Sequence, residues 1–261
     1  MKPTAFVLPL LAGLLAACHA PGGEPQLTGT ATDEWVRQYT LPDGGELQLT
    51  NPNGPIDLEA TDGPTVDVRI ERTVKASTEA TAREIVPRIA IREEIAPAKV
   101  ALRTEGLSGI IIGVETDVRY HVRAPRKTSL RVRSGGTLNV KGFEGRSILT
   151  SINGGLTAMD LRGGVEARST NGNAKISLAG FADDLVDIRV VNGGLELLVP
   201  PATNANLSGT VTNGKIDLTT LKFEAFGEQS ARRIRGRLNR GGTPIDVVVT
   251  NGNLVVGPHV P

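Results

Sequence analysis

Hydrophobic and polar residues alternate along most of this chain, and the dipeptide Asn-Gly interrupts the alternation at regular intervals. Six such pairs occur, and Gly135-Gly136 occupies an equivalent place. From Gly135 onward the pairs begin 18, 18, 21, 21 and 38 residues apart, and the last interval reads as two steps of 19. Apolar residues follow each pair at offsets of three and five. This pattern predicts short strands, each with one buried face, joined at recurring corners.

Asparagine and glycine both tolerate positive φ, so each pair permits a sharp corner. The predicted structural turns are Asn153-Gly154, Asn171-Gly172, Asn192-Gly193, Asn213-Gly214 and Asn251-Gly252. If coils of 18–21 residues stack, the side chains of these asparagines form an amide ladder. The predicted fold is therefore all-β, a single-domain β-solenoid resembling a parallel β-helix. An antiparallel meander stays open as the alternative, because Asn-Gly is also the strongest hairpin signal.

One short segment, residues 77–86, is predicted to be helical. Ser77 or Thr78 can cap its first turn, and Pro87 stops it. Strands are expected around residues 88–93, 100–104 and 117–122, where apolar residues alternate again.

The first 17 residues have the pattern of an export signal. Lys2 supplies a positive start, the stretch 6–15 is nearly all apolar, and polar sequence begins at His19. The apolar stretch is too short for a membrane span, which needs about 20 residues. The predicted organisation is a lipoprotein signal peptide over residues 1–17, a flexible tether over 18–40 and the β-solenoid domain over 41–257.

The end of the signal, Leu15-Ala16-Ala17-Cys18, resembles the lipobox of bacterial lipoproteins. The resemblance implies that Cys18 is lipidated and becomes the mature N-terminus, anchored in the membrane of the cell envelope. Several acyl chains make a stable anchor where a single chain does not. The residue after the cysteine is His19 rather than Asp, which favours the outer membrane if the host is Gram-negative.

The strand repeats resemble the bacterial DUF4097 family of adhesin-like proteins. The resemblance begins at residues 118–125, continues through 130–145, 151–164, 169–180, 190–200 and 210–221, and closes with 245–256. It implies a β-strand repeat fold and an adhesin-like role. The acidic residue that usually follows Asn-Gly in that family is here Gly, Asn or Lys, which weakens any transfer of an acidic ladder.

Charge and composition narrow the chemistry. Lys and Arg number 29 against 28 Asp and Glu, so no global field indicates a nucleic-acid binder. A single cysteine excludes an internal disulfide framework. His19, His121 and His259 are widely spaced, no G-x-S-x-G motif is present, and each histidine is expected on the solvated surface. No catalytic residue, metal or cofactor is predicted.

Arginine alternates with other residues in Arg233, Arg235 and Arg237, which places all three on one face of a strand. We expect this face to contact an anionic envelope polymer, because the guanidinium fork pairs with phosphate and carboxylate groups. The alternative is a solvated face whose charges protect an edge strand from aggregation.

The sequence thus predicts a non-enzymatic envelope lipoprotein that serves as an adhesin or binding module. The alternative is a structural or signalling lipoprotein that acts through an envelope protein. A polysaccharide-active enzyme is a third hypothesis, resting on analogy with β-helical lyases.

Overall fold

The computed structural model describes residues 26–107, 113–180, 185–218, 221–227 and 229–259. Strands dominate it. In chain order they are β1 (Gly29–Thr40), β2 (Glu46–Asn51), β3 (Ile56–Thr61), β4 (Thr65–Ala76), β5 (Ala90–Ala96), β6 (Lys99–Glu105), β7 (Glu115–Pro125), β8 (Ser129–Ser134), β9 (Leu138–Lys141), β10 (Ser147–Asn153), β11 (Leu156–Leu161), β12 (Val165–Asn171), β13 (Ala174–Leu178), β14 (Val186–Asn192), β15 (Leu195–Val199), β16 (Ala205–Asn213), β17 (Ile216–Leu218), β18 (Phe223–Ala225), β19 (Arg233–Leu238), β20 (Thr243–Asn251) and β21 (Leu254–Pro258).

The strands form two large mixed sheets. The first has 10 strands in the order β1-β4-β7-β3-β9-β11-β13-β15-β21-β17, and the second has 11 in the order β18-β19-β16-β20-β14-β12-β10-β8-β2-β6-β5. The prediction of a nearly all-β chain with one short α-helix is confirmed. The inward-facing apolar residues of both sheets belong to one core. Alternate positions are buried along most strands, whereas β5, β17 and β18 at the sheet edges contain no buried residue.

Successive repeats lie side by side in parallel register. Asn153 of β10 pairs with Asn171 of β12, which pairs with Asn192 of β14. Each Asn-Gly corner from Asn153 onward joins a strand of the second sheet to the next strand of the first. These corners are therefore not the two-residue hairpins of an antiparallel meander.

The final repeat corrects the predicted order of repeats. The 38-residue interval does not contain an extra step along the stack. Strand β19 instead pairs antiparallel with β16, and β18 pairs with the other side of β19. Strand β20 then enters between β14 and β16. Asn251 consequently pairs with both Asn192 and Asn213. The spacing of Asn-Gly pairs along the sequence cannot reveal such an insertion. It gives the length of a repeat, but it does not say which strands of the sheet the returning chain pairs with.

The predicted helix is present as α1 (Glu79–Ile85), followed by a 3-10 turn (Val86–Arg88) that contains Pro87. Thr78 is its N-cap, and the Thr78 hydroxyl accepts a hydrogen bond from the Thr81 amide at 3.2 Å. The helix packs against β1 and β4, burying Ala82 and Ile85 at one end of the core.

The prediction of a flexible tether over residues 18–40 is wrong for the second half of that range. Residues 29–40 form β1, which pairs antiparallel with β4 along all twelve residues. Ala31, Trp35 and Tyr39 pack against the core from this strand. The sequence conceals the strand because an edge strand on one layer buries few apolar residues and keeps its other face polar. The rest of the predicted tether up to residue 25, and the signal segment, lie outside the described residues.

The two sheets have four edge strands, and three of these pair antiparallel with their neighbours. At one end β1 pairs with β4 and β5 pairs with β6, and at the other β18 pairs with β19. Edge strands that continued the parallel register would offer a template for a further copy of the chain. The antiparallel pairs interrupt that template.

Candidate functional site

The asparagines of the predicted turns form a hydrogen-bonded ladder along one corner. The side-chain amide of each asparagine donates to the amide oxygen of the next. The donor-to-acceptor pairs are Asn171 to Asn153 at 3.0 Å, Asn192 to Asn171 at 2.8 Å, Asn251 to Asn192 at 2.8 Å and Asn213 to Asn251 at 2.7 Å. The ladder follows the spatial order of the strands, so it passes through Asn251 before Asn213.

The glycines of these corners lie against the backbone of the neighbouring repeat. Four of them have φ between 149° and 153°, namely Gly172, Gly193, Gly214 and Gly252. Gly154 is not among the positive-φ glycines of the described residues. Glycine is still required there, since a Cβ on Gly154 would lie 2.5 Å from the Thr137 amide nitrogen.

A column of buried polar side chains runs behind the ladder, and the sequence analysis did not find it. Ser151 and Ser169 are buried two residues before Asn153-Gly154 and Asn171-Gly172, and Ser134 is buried directly before Gly135-Gly136. The Ser151 hydroxyl, for example, lies 2.8 Å from the Gly136 carbonyl oxygen and 2.9 Å from that of Gly154. The available signal in the sequence was a serine directly before Gly135-Gly136 and two residues before two of the Asn-Gly pairs. These bonds satisfy carbonyl groups that the tight corner leaves without a strand partner.

Asn51 takes the place of serine in this column and extends it into the core. Its amide nitrogen donates to the Val118 carbonyl at 2.6 Å, and its amide oxygen accepts from the Thr104 hydroxyl at 3.2 Å. The Thr104 hydroxyl also lies 2.8 Å from the hydroxyl of Tyr120, which is fully buried. This network fixes the first Asn-Gly repeat against β7.

The buried phenol of Tyr120 predicts a loss of stability at alkaline pH. Burial raises the pKa of Tyr120 from 10.0 to about 12. The unfolded chain ionises this phenol at lower pH than the folded chain, so its contribution is fully present below about pH 10 and is lost as the pH rises towards 12. We expect urea unfolding of the parent to show a stability loss roughly 2 kcal/mol greater than that of Tyr120→Phe over this range. Equal losses in the two proteins would contradict the assignment.

A groove of about 800 Å³ crosses the outer face of the first sheet. It spans six strands, from β1 through β4, β7, β3 and β9 to β11. Its outward-facing side chains include Val36, Gln38, Asp57, Glu59, Asp67, Arg69, His121, Arg123, Asn139, Lys141, Thr157 and Met159. The groove combines the aliphatic parts of long side chains with charged heads and planar amides, and apolar walls with a few polar groups are typical of ligand sites.

Some of the groove's polar groups are bound to each other. Asp57 accepts from the Asn139 amide at 2.7 Å and lies 3.4 Å from His121 Nδ1. The Gln38 amide donates to Asp67 at 2.7 Å. These contacts orient side chains on five of the six strands that the groove crosses.

Three charged side chains at the centre of the groove form no ion pair with other described side chains. Glu59 pairs in register with Arg123 on one side and Lys141 on the other, and all three are exposed. Within the described chain none of the three takes part in an ion pair within 4.0 Å. Their charges are therefore free to meet a ligand.

His259 corrects the expectation that each histidine is a solvated surface residue. Its side chain is only 11% exposed, its Nδ1 lies 2.7 Å from the Ser177 hydroxyl, and its Nε2 lies 3.6 Å from Asp160. The arrangement contains the residue types of a nucleophilic triad. Ser177 has no exposed surface, however, so a substrate cannot reach its hydroxyl. The contacts instead fasten the end of the chain across β15. His19 lies outside the described residues.

The three predicted arginines lie on β19, and one of them, Arg237, forms an ion pair. Arg233 and Arg235 are exposed on one face of the strand, whereas Ile234 and Leu238 are buried on the other. Arg237 donates to Glu224 of β18 at 2.7 Å and 3.0 Å. Two of the three predicted anion contacts thus remain free of ion pairs within the described part of the chain. Cys18 lies outside that part.

Two further observations bear on chemistry. No helix in the described ranges is long and apolar enough to cross a membrane. The same ranges contain no group of three or more His, Cys, Asp or Glu side chains arranged to hold a metal ion.

No protein-family model and no curated protein matches this chain. Among solved structures it is similar to a putative cell adhesion protein from Clostridium sporogenes, with a TM-score of 0.53 and 12% identity over 88% of this chain and 100% of that one. A putative adhesin from Bacteroides fragilis is matched over 91% of this chain and 100% of that one, at 12% identity and a TM-score of 0.27. One from Parabacteroides merdae is matched over 88% and 96%, at 10% identity and a TM-score of 0.28. The first likeness shows a shared fold, and the other two have too low a TM-score to add to it.

Proposed function

We propose that this protein is a non-enzymatic, adhesin-like binding module of the cell envelope. The groove on the first sheet carries the proposal, because it presents Glu59, Arg123 and Lys141 without partners among the described residues. Exposed charges of both signs beside oriented amides suit a polar ligand that bears hydroxyl and anionic groups. The adhesion-protein description of the Clostridium sporogenes structure agrees with this role.

The finer architecture in this proposal is a β-solenoid. Strands alternate between the two sheets, equivalent residues of successive repeats pair in parallel, and the amide ladder joins the corners. Each repeat then acts as one coil that completes its core only by stacking on its neighbours. Such a stack is a rigid platform for the groove.

The proposed location rests on Cys18. Lipid chains on this residue would hold the domain in the envelope, at the outer membrane if the host is Gram-negative, and the segment before β1 would separate it from the bilayer. The alternative role, a structural or signalling lipoprotein that contacts another envelope protein, uses the same anchor. Val36 favours it, since this apolar side chain is 56% exposed at the edge of the groove.

Retention of envelope material on the immobilised full chain tests the groove. We expect the parent to retain whole cells or envelope fractions, and Arg123→Ser with Lys141→Ser to retain them about tenfold less well, because two charge-assisted bonds are lost. Lys175→Ser with Lys215→Ser removes the same charge outside the groove, from β13 and from the corner before β17, and should leave retention unchanged.

The nature of the captured material separates the two roles. Retention that survives protease digestion of the envelope fraction supports adhesion to a non-protein ligand. Retention that digestion abolishes supports the protein-partner role. Equal retention by the parent and the groove variant would overturn the assignment of the site.

A further inference from the structure

The second sheet aligns six arginines from six different strands in a single row across its outer face. Pairing in register connects the row from β5 at one edge to β19 near the other. We call this set the arginine row; its members are Arg92, Arg103, Arg133, Arg168, Arg189 and Arg233. All six are exposed. They are far apart in the sequence, so only the register of the sheet brings them together.

The positions between the arginines carry no charge. Between β6 and β12 the row reads Arg103, Thr50, Arg133, Thr150 and Arg168, so cations alternate with hydroxyl groups. Val248 and Thr210 occupy the two positions before Arg233. Neighbouring strands are about 4.8 Å apart, so the ten positions extend over roughly 43 Å.

The arginines differ in how far their charges are already neutralised. Arg168 lies 2.6 Å from Glu166 and Arg189 lies 3.0 Å from Asp187, and both acids belong to the next row of the same strands. Arg92 pairs with Glu105 at 2.6 Å. Arg103, Arg133 and Arg233 have no ion-pair partner within 4.0 Å among the described residues. Free cations thus recur along the row.

A pocket of about 490 Å³ adjoins one end of the row. Arg88, Arg103 and Glu105 line it, and Glu105 is the carboxylate that pairs with Arg92. Arg88 follows α1 in the 3-10 turn and is exposed, so it adds another cation beside the free guanidinium of Arg103. The positive surface therefore continues beyond the alternating segment.

We propose that the arginine row binds a linear acidic polysaccharide bearing carboxylate groups, laid across the strands. A guanidinium donates two parallel hydrogen bonds to a carboxylate in a bidentate pair. The threonine hydroxyls between the arginines match the hydroxyl groups between the acids of such a chain. The outward positions of the row's ten strands carry no aromatic side chain, whereas binding of single-stranded nucleic acid relies on stacking of bases. The row lies on the opposite sheet from the groove, so this proposal is independent of the proposed function.

Binding of a soluble polyuronate to the full chain tests the row. The row variant carries Arg103→Ser, Arg133→Ser and Arg168→Ser. The matched control carries Arg83→Ser, Arg119→Ser and Arg162→Ser, which removes the same charge from exposed arginines elsewhere. We expect the row variant to bind at least about 30-fold more weakly at low salt, and the control to change less than about threefold.

Salt and length supply readouts that a folding defect does not reproduce. The row variant should show a shallower decrease of affinity with salt, because fewer counterions are exchanged. Affinity of the parent for polyuronate fragments should increase with length until a fragment spans roughly the 43 Å of the row. Circular dichroism of both variants checks that the sheets are intact.

Several outcomes would overturn the proposal. They are parental affinity in the row variant, an equal loss in the matched control, and no dependence on fragment length. Tighter binding of duplex DNA or inorganic polyphosphate than of the polyuronate would also overturn it, since a polysaccharide would then not be the preferred ligand. The row variant is also tested for retention of envelope material. If it retains this material as well as the parent does, a failure of the polysaccharide proposal leaves the function proposed for the groove unaffected.

Discussion

We expect Gly193→Ala to lower the free energy of unfolding by roughly 3 kcal/mol or more, from backbone strain and steric overlap together. Gly193 has a φ of 153°, which side-chain-bearing residues rarely adopt. A Cβ at this position would also lie 2.3 Å from the carbonyl oxygen of Gly172 in the neighbouring repeat. The overlap involves backbone that is held in register on both sides, so it cannot be relieved by a side-chain rotation. Urea unfolding of the parent and the variant measures the effect.

Gly44→Ala is the matched control for this substitution. Gly44 also has a positive φ, of 76°, but a Cβ there meets no heavy atom of the described residues within 4 Å. Only the conformational cost remains, which is about 1 kcal/mol. If both variants lost the same stability, close approach of the repeats would not be what requires glycine at Asn192-Gly193.

The second large effect concerns attachment to the membrane. We expect the parent to partition into the detergent phase and its mature N-terminal peptide to have the mass of an acylated Cys18. Cys18→Ser should lack this mass, because serine offers no thiol for the diacylglycerol group. Loss of several acyl chains removes a stable membrane anchor, so the variant should not partition into the detergent phase.

His19→Asp is the control for the anchor. It keeps the cysteine, so acylation and detergent partition should persist, while in a Gram-negative host the protein should move to the inner membrane. A parent N-terminal peptide without acyl mass would contradict the anchor, whatever the fraction in which the protein is found.

The sequence predicted the repeated strands and corners because both arise from local chemistry. Alternation of apolar and polar residues sets which face of a strand is buried, and this depends only on the two-residue period. Asn-Gly marks corners for the same local reason. The helix at Glu79–Ile85 was predictable from its cap at Thr78 and from Pro87. The parallel register of Asn153, Asn171 and Asn192 follows once equivalent repeats stack.

Long-range pairing accounts for what the sequence did not predict. The position of β20 between β14 and β16 depends on β19 occupying the open edge of β16. The strand β1 depends on pairing with β4, since its own apolar residues are few. The burial of His259 depends on the pairing of β21 with β15, which brings this side chain beside Ser177 and Asp160.

The two candidate binding surfaces show the same division. The sequence singled out Arg233, Arg235 and Arg237 because residues two apart share one face of a strand. It did not indicate the groove around Glu59, Arg123 and Lys141, nor the arginine row, since these residues come from different strands separated by many positions. The sequence by itself determined the repeated strands, the corners and the helix, all of which rest on interactions between near neighbours. Only the tertiary structure decided which strands adjoin and therefore which charges share a surface, because register across a sheet is a property of distant segments paired together.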